Sequence, residues 1–120
     1  MKLVCIESPY AGDILANEAY ARACMADSLR RGEAPIASHL LYTQPGILDD
    51  LISEERLLGI HAGFAWNQHA AATVVYTDRG ISRGMQYGIE AAEKAGRPII
   101  YRTLPKQRRA GAGRRKPAGT

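Results

Sequence analysis

A carboxylic acid directly follows a short apolar run near the start of the chain, in the segment 7–12 (Glu-Ser-Pro-Tyr-Ala-Gly). Glu7 could act as a nucleophile, a general base or an acceptor for a sugar hydroxyl. The Ser8 hydroxyl, Gly12 and the backbone amides before the next helix are suited to holding an anion. We therefore expect Glu7 and Tyr10 to be catalytic, with Ser8 and Gly12 binding substrate. The alternative is that Glu7 is a solvated loop residue.

A second candidate is the segment 80–85, Gly-Ile-Ser-Arg-Gly-Met, which joins a predicted strand to a predicted helix. Its two glycines allow a ligand to approach the backbone. A serine hydroxyl at a helix N-terminus, with an arginine beside it, suits phosphate. The pattern predicts that Ser82, Gly84 and Met85 bind phosphate or ribose, with Asp78 in the preceding loop. An ordinary helix cap is the alternative.

The segment 38–44, Ser-His-Leu-Leu-Tyr-Thr-Gln, follows the second predicted strand, and we expect residues 39–46 to form a loop. His39 and Tyr42 could stack on a base or form hydrogen bonds with it. A lone histidine is also common as a packed or solvated residue. We expect both residues to bind substrate.

The second long helix begins with acids and carries aromatic residues farther along. Acids at a helix start complement the helix dipole, and the alternative is that one of them reaches the ligand. Phe64 and Trp66 fit either the core or a contact between subunits. The acids are Asp49, Asp50, Glu54 and Glu55.

These residues are positioned by strands that alternate with helices. Apolar and β-branched runs predict strands at 3–6, 34–38, 72–76 and 97–101, with helices at 14–31, from about 48–53 to 68, and at 83–95. The alternation predicts a Rossmann-like α/β three-layer sandwich with a four-stranded parallel sheet in the order 2-1-3-4. Pro35 lacks an N–H donor, so the second strand belongs at an edge. Ligands bind where such a sheet reverses direction, which brings Glu7 opposite Ser82.

The charge divides the chain into an acidic domain, 1–103, and a basic tail, 104–120. The tail contains six Lys and Arg residues and no acid, which leaves 10 basic and 12 acidic groups, or a charge of −2, in the domain. We expect the tail to be disordered; it could contact nucleic acid or simply aid solubility. No run is long enough to cross a membrane, and the apolar start is too short for a secretory signal, so we expect a cytoplasmic protein. The two cysteines indicate buried thiols, and no zinc spacing or cofactor motif is present.

Three of these segments, 8–12, 38–44 and 80–85, together with Glu90 and 96–98, resemble a little-characterised group of phage and bacterial proteins. That group looks like a branch of the nucleoside 2-deoxyribosyltransferase superfamily. The resemblance implies a flavodoxin-like fold, homo-oligomers with shared sites, and cleavage or exchange of the N-glycosidic bond of a nucleoside or nucleotide. It also implies a glutamate nucleophile near the start of the third helix, which forms a glycosyl-enzyme intermediate.

The chain departs from that pattern at the nucleophile. By its spacing from Ser82, Gly84 and Gly96, the glutamate belongs at position 88, which is Gly88. Glu90 lies about 200° further around the helix, so it points away. Either Glu7 supplies the missing carboxylate from the first strand, or activity is lost and a nucleotide-binding module remains, as a sensor or sponge.

Overall fold

A computed structural model describes residues 1–106 of the chain. The strands are β1 (Lys2–Glu7), β2 (Glu33–Ile36), β3 (Ala72–Tyr76) and β4 (Ile99–Arg102). The helices are α1 (Ile14–Arg30), α2 (Ser38–Leu41), α3 (Ser53–Asn67) and α4 (Arg83–Ala95). The predicted alternation of strands and helices is confirmed. Most of the basic tail, from residue 107 onward, lies outside the described residues.

The four strands form one all-parallel sheet in the order β2-β1-β3-β4, as predicted. The β-branched strand β3 is buried along its whole length, whereas the Pro35 strand lies at an edge. The register pairs Glu7 with Val75, so the Glu7 backbone lies beside the end of β3. The first and third strands therefore end side by side at the point where the chain reverses its direction across the sheet.

Alternate residues of the strands pack against helices on opposite faces of the sheet. Val4, Ile6 and Val74 join Tyr20 and Cys24 of α1 in the larger core cluster. On the other face, Val75 packs with Met85 and Ile89 of α4 in a smaller cluster. Because side chains alternate along a strand, Cys5 and Glu7 lie on the α4 face. Both cysteines are buried and free, as expected.

Local sequence signals set most helix ends. The Asp13 carboxylate accepts a hydrogen bond from the Ala16 amide at 3.2 Å and caps α1. Gly96 ends α4 with a φ of +68°, a left-handed conformation that favours glycine.

The predicted loop at 39–46 is wrong at its start, where the structure has the short helix α2. The Leu41 amide donates to the Ala37 carbonyl and the Tyr42 amide to the Ser38 carbonyl, each at 3.0 Å. Strand β2 is correspondingly shorter than predicted and ends at Ile36, so the turn into α2 comes early. His39 therefore lies on a helical turn, where its backbone is held by hydrogen bonds.

The start of the predicted tail is attached to the domain. The Leu104 amide donates to the Asp78 carboxylate at 3.1 Å, and its side chain packs against the larger core cluster. Among the helices of residues 1–106, none combines the length and the apolar character that a membrane crossing requires.

Candidate functional site

Glu7 ends β1 and directs its carboxyl group at the second turn of α4. A Cβ atom placed on Gly88 would overlap that carboxyl group, with Oε1 only 2.8 Å away. Gly88 is buried, so no solvent-filled gap separates the two residues. The carboxyl of residue 7 thus occupies the space into which a side chain at position 88 would project.

Burial determines the charge state of Glu7. Removal from water raises the pKa of this carboxyl to about 8, and the positive charge of Arg97 opposes that rise only in part. At neutral pH most of the folded molecules therefore carry Glu7 as an uncharged acid. A solvated loop residue would not behave in this way.

Ser8 and His39 form a direct pair, although 31 residues separate them in the sequence. The Ser8 hydroxyl lies 2.6 Å from Nε2 of His39, and the serine is buried. Burial lowers the pKa of His39 to about 4, so its ring is neutral at physiological pH. The Nε2 atom then accepts the proton that the Ser8 hydroxyl donates when Nδ1 carries the ring hydrogen.

A cleft of about 420 Å³ is lined by Tyr10, two residues after Ser8, and by Thr43, four residues after His39. Tyr10 and Ile14 form one wall, and the loop 45–51 with Glu55 of α3 forms the other. Its volume falls within the range usual for sites that bind small molecules. We call this space the Tyr10 cleft.

A smaller cavity of about 70 Å³ adjoins the Tyr10 cleft. His39 and Tyr42 line it from the α2 side, and Arg56 and Ile60 line it from α3. Thr43 and Leu48 border both spaces. Tyr10 thus lines the larger cleft, and His39 and Tyr42 line the smaller cavity beside it, which we call the His39 cavity.

Carboxylates dominate the polar lining of the Tyr10 cleft: Asp49, Asp50 and Glu55. Glu55 accepts a hydrogen bond from the Asp49 amide at 2.7 Å. The nearby cation, Arg56, donates from Nε to the Asp50 carbonyl at 3.0 Å and lies 3.8 Å from its carboxylate. The acids at the start of α3 thus both organise the loop and face the cleft.

Ser82 and Met85 make hydrogen bonds and packing contacts that stabilise the start of α4. The Ser82 hydroxyl accepts from the Met85 amide at 3.3 Å, and the Met85 sulfur accepts from the Ser82 amide at 3.3 Å. The Met85 side chain is buried against Val75, whereas Gly84 is exposed. Ser82 is therefore a helix cap in this structure.

Asp78 is also held by the fold. Its carboxylate accepts a hydrogen bond from the Tyr20 hydroxyl at 2.6 Å, besides the one from Leu104. Its amide donates to the Tyr20 oxygen at 3.0 Å. Asp78 therefore connects the second turn of α1, the β3–α4 loop and the chain after β4.

The structure joins Ser8 to His39 and places Tyr10 in the neighbouring cleft, whereas Glu7 faces Gly88 and Ser82 lies apart from the cleft. Ser82 begins the helix that Glu7 touches, but six residues of helix, about 9 Å, separate it from Gly88. In the described part of the chain, neither Glu7 nor Ser82 lines the Tyr10 cleft or the His39 cavity. A ligand contact at Ser82, Gly84, Gly12 or Met85 stays a prediction.

Sequence reasoning missed Gly63, which allows α2 and α3 to approach closely. A Cβ atom there would lie 2.5 Å from the Ser38 hydroxyl oxygen and 2.8 Å from its Cβ. Gly59, one turn earlier, faces Leu48 and Tyr42. The four-residue spacing of the glycines, which places both on one helix face, was the available signal.

Within residues 1–106, no three His, Cys, Asp or Glu side chains are grouped closely enough to hold a metal ion. Neither a curated protein nor a solved structure matches the sequence. A family described as a domain of unknown function, DUF7768, matches residues 2–102. That match spans all four strands and every helix that positions the cleft. The chain therefore belongs to the DUF7768 family.

Proposed function

We propose that this protein cleaves or transfers at the N-glycosidic bond of nucleosides, with Glu7 as the reacting carboxylate. The observation that carries the proposal is the overlap between the Glu7 carboxyl group and the space beside Gly88. The resemblance to nucleoside 2-deoxyribosyltransferases requires a carboxylate where residue 88 projects. In this chain the acid comes from the neighbouring strand instead of from the helix.

In the proposed reaction, the ionised Glu7 attacks the anomeric carbon of the sugar. The bond from that carbon to the base breaks, and the base leaves with the electron pair and takes up a proton. A water molecule, or the N–H nitrogen of a second base, then attacks the anomeric carbon of the glycosyl ester and gives up a proton, which releases Glu7 as a carboxylate. Ser8, the residue after Glu7, is hydrogen-bonded to His39, and Tyr10 lines the neighbouring cleft, so Tyr10 and His39 would contact the sugar or base.

The lining of the Tyr10 cleft favours a nucleoside without a phosphate. Asp49, Asp50 and Glu55 would repel a phosphate, and Arg56 is already bonded to Asp50. Carboxylate oxygens accept hydrogen bonds from sugar hydroxyls, and Tyr10 offers an aromatic ring to a base. We therefore propose nucleosides over nucleoside 5′-monophosphates as substrates.

The test is to incubate the full chain with a panel of nucleosides and their 5′-monophosphates and to measure free base by chromatography. We expect base release or exchange from a nucleoside, and its loss in Glu7→Gln. Glu90→Gln, a change at an exposed acid on α4, is the control and should retain activity. Folded protein that neither releases nor exchanges a base would overturn the proposed reaction.

A second candidate is a binding module without chemistry, acting as a sensor or sponge for nucleosides or nucleotides. The observation that favours it is the uncharged state of Glu7 at neutral pH, since a protonated carboxyl is no nucleophile. A ligand that raises the melting temperature of both wild type and Glu7→Gln, with no turnover in either, would support this function. Turnover in wild type alone would refute it.

A further inference from the structure

The Ser8–His39 pair contains the two groups of a nucleophilic serine and its base, but it lacks their usual surroundings. Ser8 is 4% exposed, and it lines neither the Tyr10 cleft nor the His39 cavity. The next residue is Pro9, which has no N–H to stabilise an oxyanion. The Ser8 hydroxyl is therefore not placed to attack a substrate, and within residues 1–106 its one hydrogen bond is with His39.

The direction of that hydrogen bond follows from what the Ser8 hydroxyl can reach. If Nε2 of His39 carried the hydrogen and donated it, the buried hydroxyl would be left without an acceptor for its own proton, which is unfavourable. The separation of 2.6 Å is also typical of an O–H donor and short for an N–H donor. The Ser8 hydroxyl therefore donates to Nε2.

This direction places the ring hydrogen of His39 on Nδ1. Burial lowers the pKa of the ring to about 4, so at physiological pH it is neutral and carries a single N–H. In the part of the chain that the structure describes, Nδ1 makes no hydrogen bond. His39 lines the His39 cavity whereas Ser8 does not, so the part of the ring that Ser8 leaves free faces this cavity. An enclosed N–H of this kind calls for an acceptor that is not part of the chain.

We propose that Nδ1–H of His39 donates a hydrogen bond to the edge of a bound nucleobase, and that Ser8 is the positioning residue that keeps the hydrogen on Nδ1. The ligand class rests on the proposed function, whereas the position of the hydrogen does not. At about 70 Å³, the His39 cavity is well below the roughly 300 Å³ at which ligand sites begin, so it admits only part of a base. The rest of the base would lie in the Tyr10 cleft, which shares Thr43 and Leu48 with the cavity.

The other polar groups of the His39 cavity favour an uncharged acceptor. Asp50 and Glu55 both line it, so a phosphate or carboxylate in the cavity would be repelled. The cation of the lining, Arg56, is hydrogen-bonded through Nε to the Asp50 carbonyl. Ring nitrogens and carbonyl oxygens of nucleobases are neutral acceptors, and the amino or N–H groups beside them can donate to carboxylates. The cavity therefore suits the edge of a base, where an acceptor and a donor lie side by side.

Nitrogen-15 NMR of the full chain, labelled at histidine, measures the tautomer directly. His39→Gln identifies the His39 signals among those of the three histidines. At pH 7 we expect Nδ1 of His39 to be the protonated nitrogen and Nε2 the unprotonated one. In Ser8→Ala, where the donor to Nε2 is lost, we expect a measurable population with the hydrogen on Nε2.

Ser28→Ala is the matched control, because it removes another buried hydroxyl, one that donates to Glu33. It should leave the hydrogen of His39 on Nδ1. Wild-type protein with the hydrogen on Nε2 would overturn the proposal, whether or not Ser8→Ala folds. An unchanged tautomer in folded Ser8→Ala, or an equal change in Ser28→Ala, would overturn the role of Ser8.

Titration of the labelled chain with the free bases adenine, cytosine, hypoxanthine and uracil measures the contact without any turnover. We expect at least one base to shift the Nδ1–H signal of His39. Its Kd should be about five-fold weaker in folded Ser8→Ala than in wild type or Ser28→Ala, as the loss of one hydrogen bond predicts.

The two proposals fail in different ways. If no base shifts the His39 signals, the contact is overturned even when a nucleoside is cleaved. If a base shifts them as expected while no nucleoside is cleaved or exchanged, the contact is supported and only the proposed reaction is overturned.

Discussion

At the scale of single residues, the fold shifts the pKa values of two groups away from their ordinary values. Glu7 keeps a proton up to a pKa of about 8, and His39 stays neutral down to a pKa of about 4. In both cases burial is the first cause, since it disfavours the charged form. Ser8 links the two residues, because Glu7 precedes it in sequence and His39 is hydrogen-bonded to its hydroxyl group.

These two groups predict the pH dependence of stability. For Glu7, the folded state keeps a proton that the unfolded state has lost between pH 4.5 and about 8, so stability falls as pH rises through that range. For His39, the unfolded state binds the extra proton between about 4 and 6.5, so stability rises through that range. The effects cancel between roughly pH 4.5 and 6.5, and we expect a decline of about 2 kcal/mol from pH 6.5 to 8.

Urea unfolding of wild type and Glu7→Gln between pH 4 and 9 measures this dependence. The variant lacks the titrating acid, so the decline above pH 6.5 should disappear while the rise due to His39 remains. In His39→Gln, the free energy of unfolding should instead decline across the whole range from pH 4.5 to about 8. An equal decline in wild type and Glu7→Gln would assign it to other groups.

The contact between Glu7 and Gly88 predicts that the effect of Gly88→Ala on the free energy of unfolding changes sign when the Glu7 side chain is removed. Gly88→Ala adds a methyl group where the carboxyl lies, and such overpacking costs about 1–3 kcal/mol. In a Glu7→Ala background the space is free, and alanine at position 88 should stabilise α4 by up to about 1 kcal/mol. Free energies of unfolding from urea denaturation measure all four corners of the cycle.

Gly84→Ala is the control for this cycle. It lies on the same helix, and the nearest side-chain atom to its added Cβ would be 4.0 Å away. Its effect on the free energy of unfolding should be the same in the wild-type background and in the Glu7→Ala background. A destabilising Gly88→Ala in both backgrounds would show that Glu7 does not fill the space.

At the scale of elements, the close approach of α2 to α3 determines where His39 lies. Gly63→Ala would press a methyl group against Ser38, which begins α2. We expect a loss of about 1–3 kcal/mol, partly offset by the better helix propensity of alanine. Thermal or urea unfolding measures the loss.

Ser38→Gly provides the compensating change, since it removes both atoms that Gly63→Ala would meet. In the Ser38→Gly background, Gly63→Ala should therefore lower the free energy of unfolding much less than it does in the wild-type background. Additive losses in the double variant would mean that the two helices do not constrain each other at this point.

At the scale of the whole molecule, the excess of positive charge lies after the domain. Ending the chain at Lys106 removes five Lys and Arg residues and lowers the formal net charge from +4 to −1. If the tail contacts nucleic acid, the full chain should be retained on immobilised DNA and the shortened chain should not, because retention by counterion release needs those cations. If the tail only aids solubility, neither chain should be retained. Its melting temperature should change by less than about 3 °C, since the sheet and its helices are intact.

The control is the full chain at raised salt, which should lose retention in the same way if the binding is electrostatic. Retention that survives the shortening would place the DNA-binding surface within residues 1–106. A large fall in melting temperature would mean that the removed residues contribute to the domain.

The sequence by itself determined the order of the elements, the parallel sheet and most helix ends. These depend on patterns within a few residues, such as the β-branched run 72–76, the Asp13 cap and Gly96. The same local patterns placed Glu7, Ser8 and Tyr10 at the end of the first strand. The helical turn at His39 was missed because it is only four residues long and no side chain caps its start, so it carries none of the usual local signals of a helix.

Only the tertiary structure decided what these residues do to one another. The uncharged state of Glu7 depends on its burial against Gly88, and the Ser8–His39 bond joins residues from two separate elements. Burial and charge state are properties of the surrounding space, and that space is assembled from chain segments far apart in sequence.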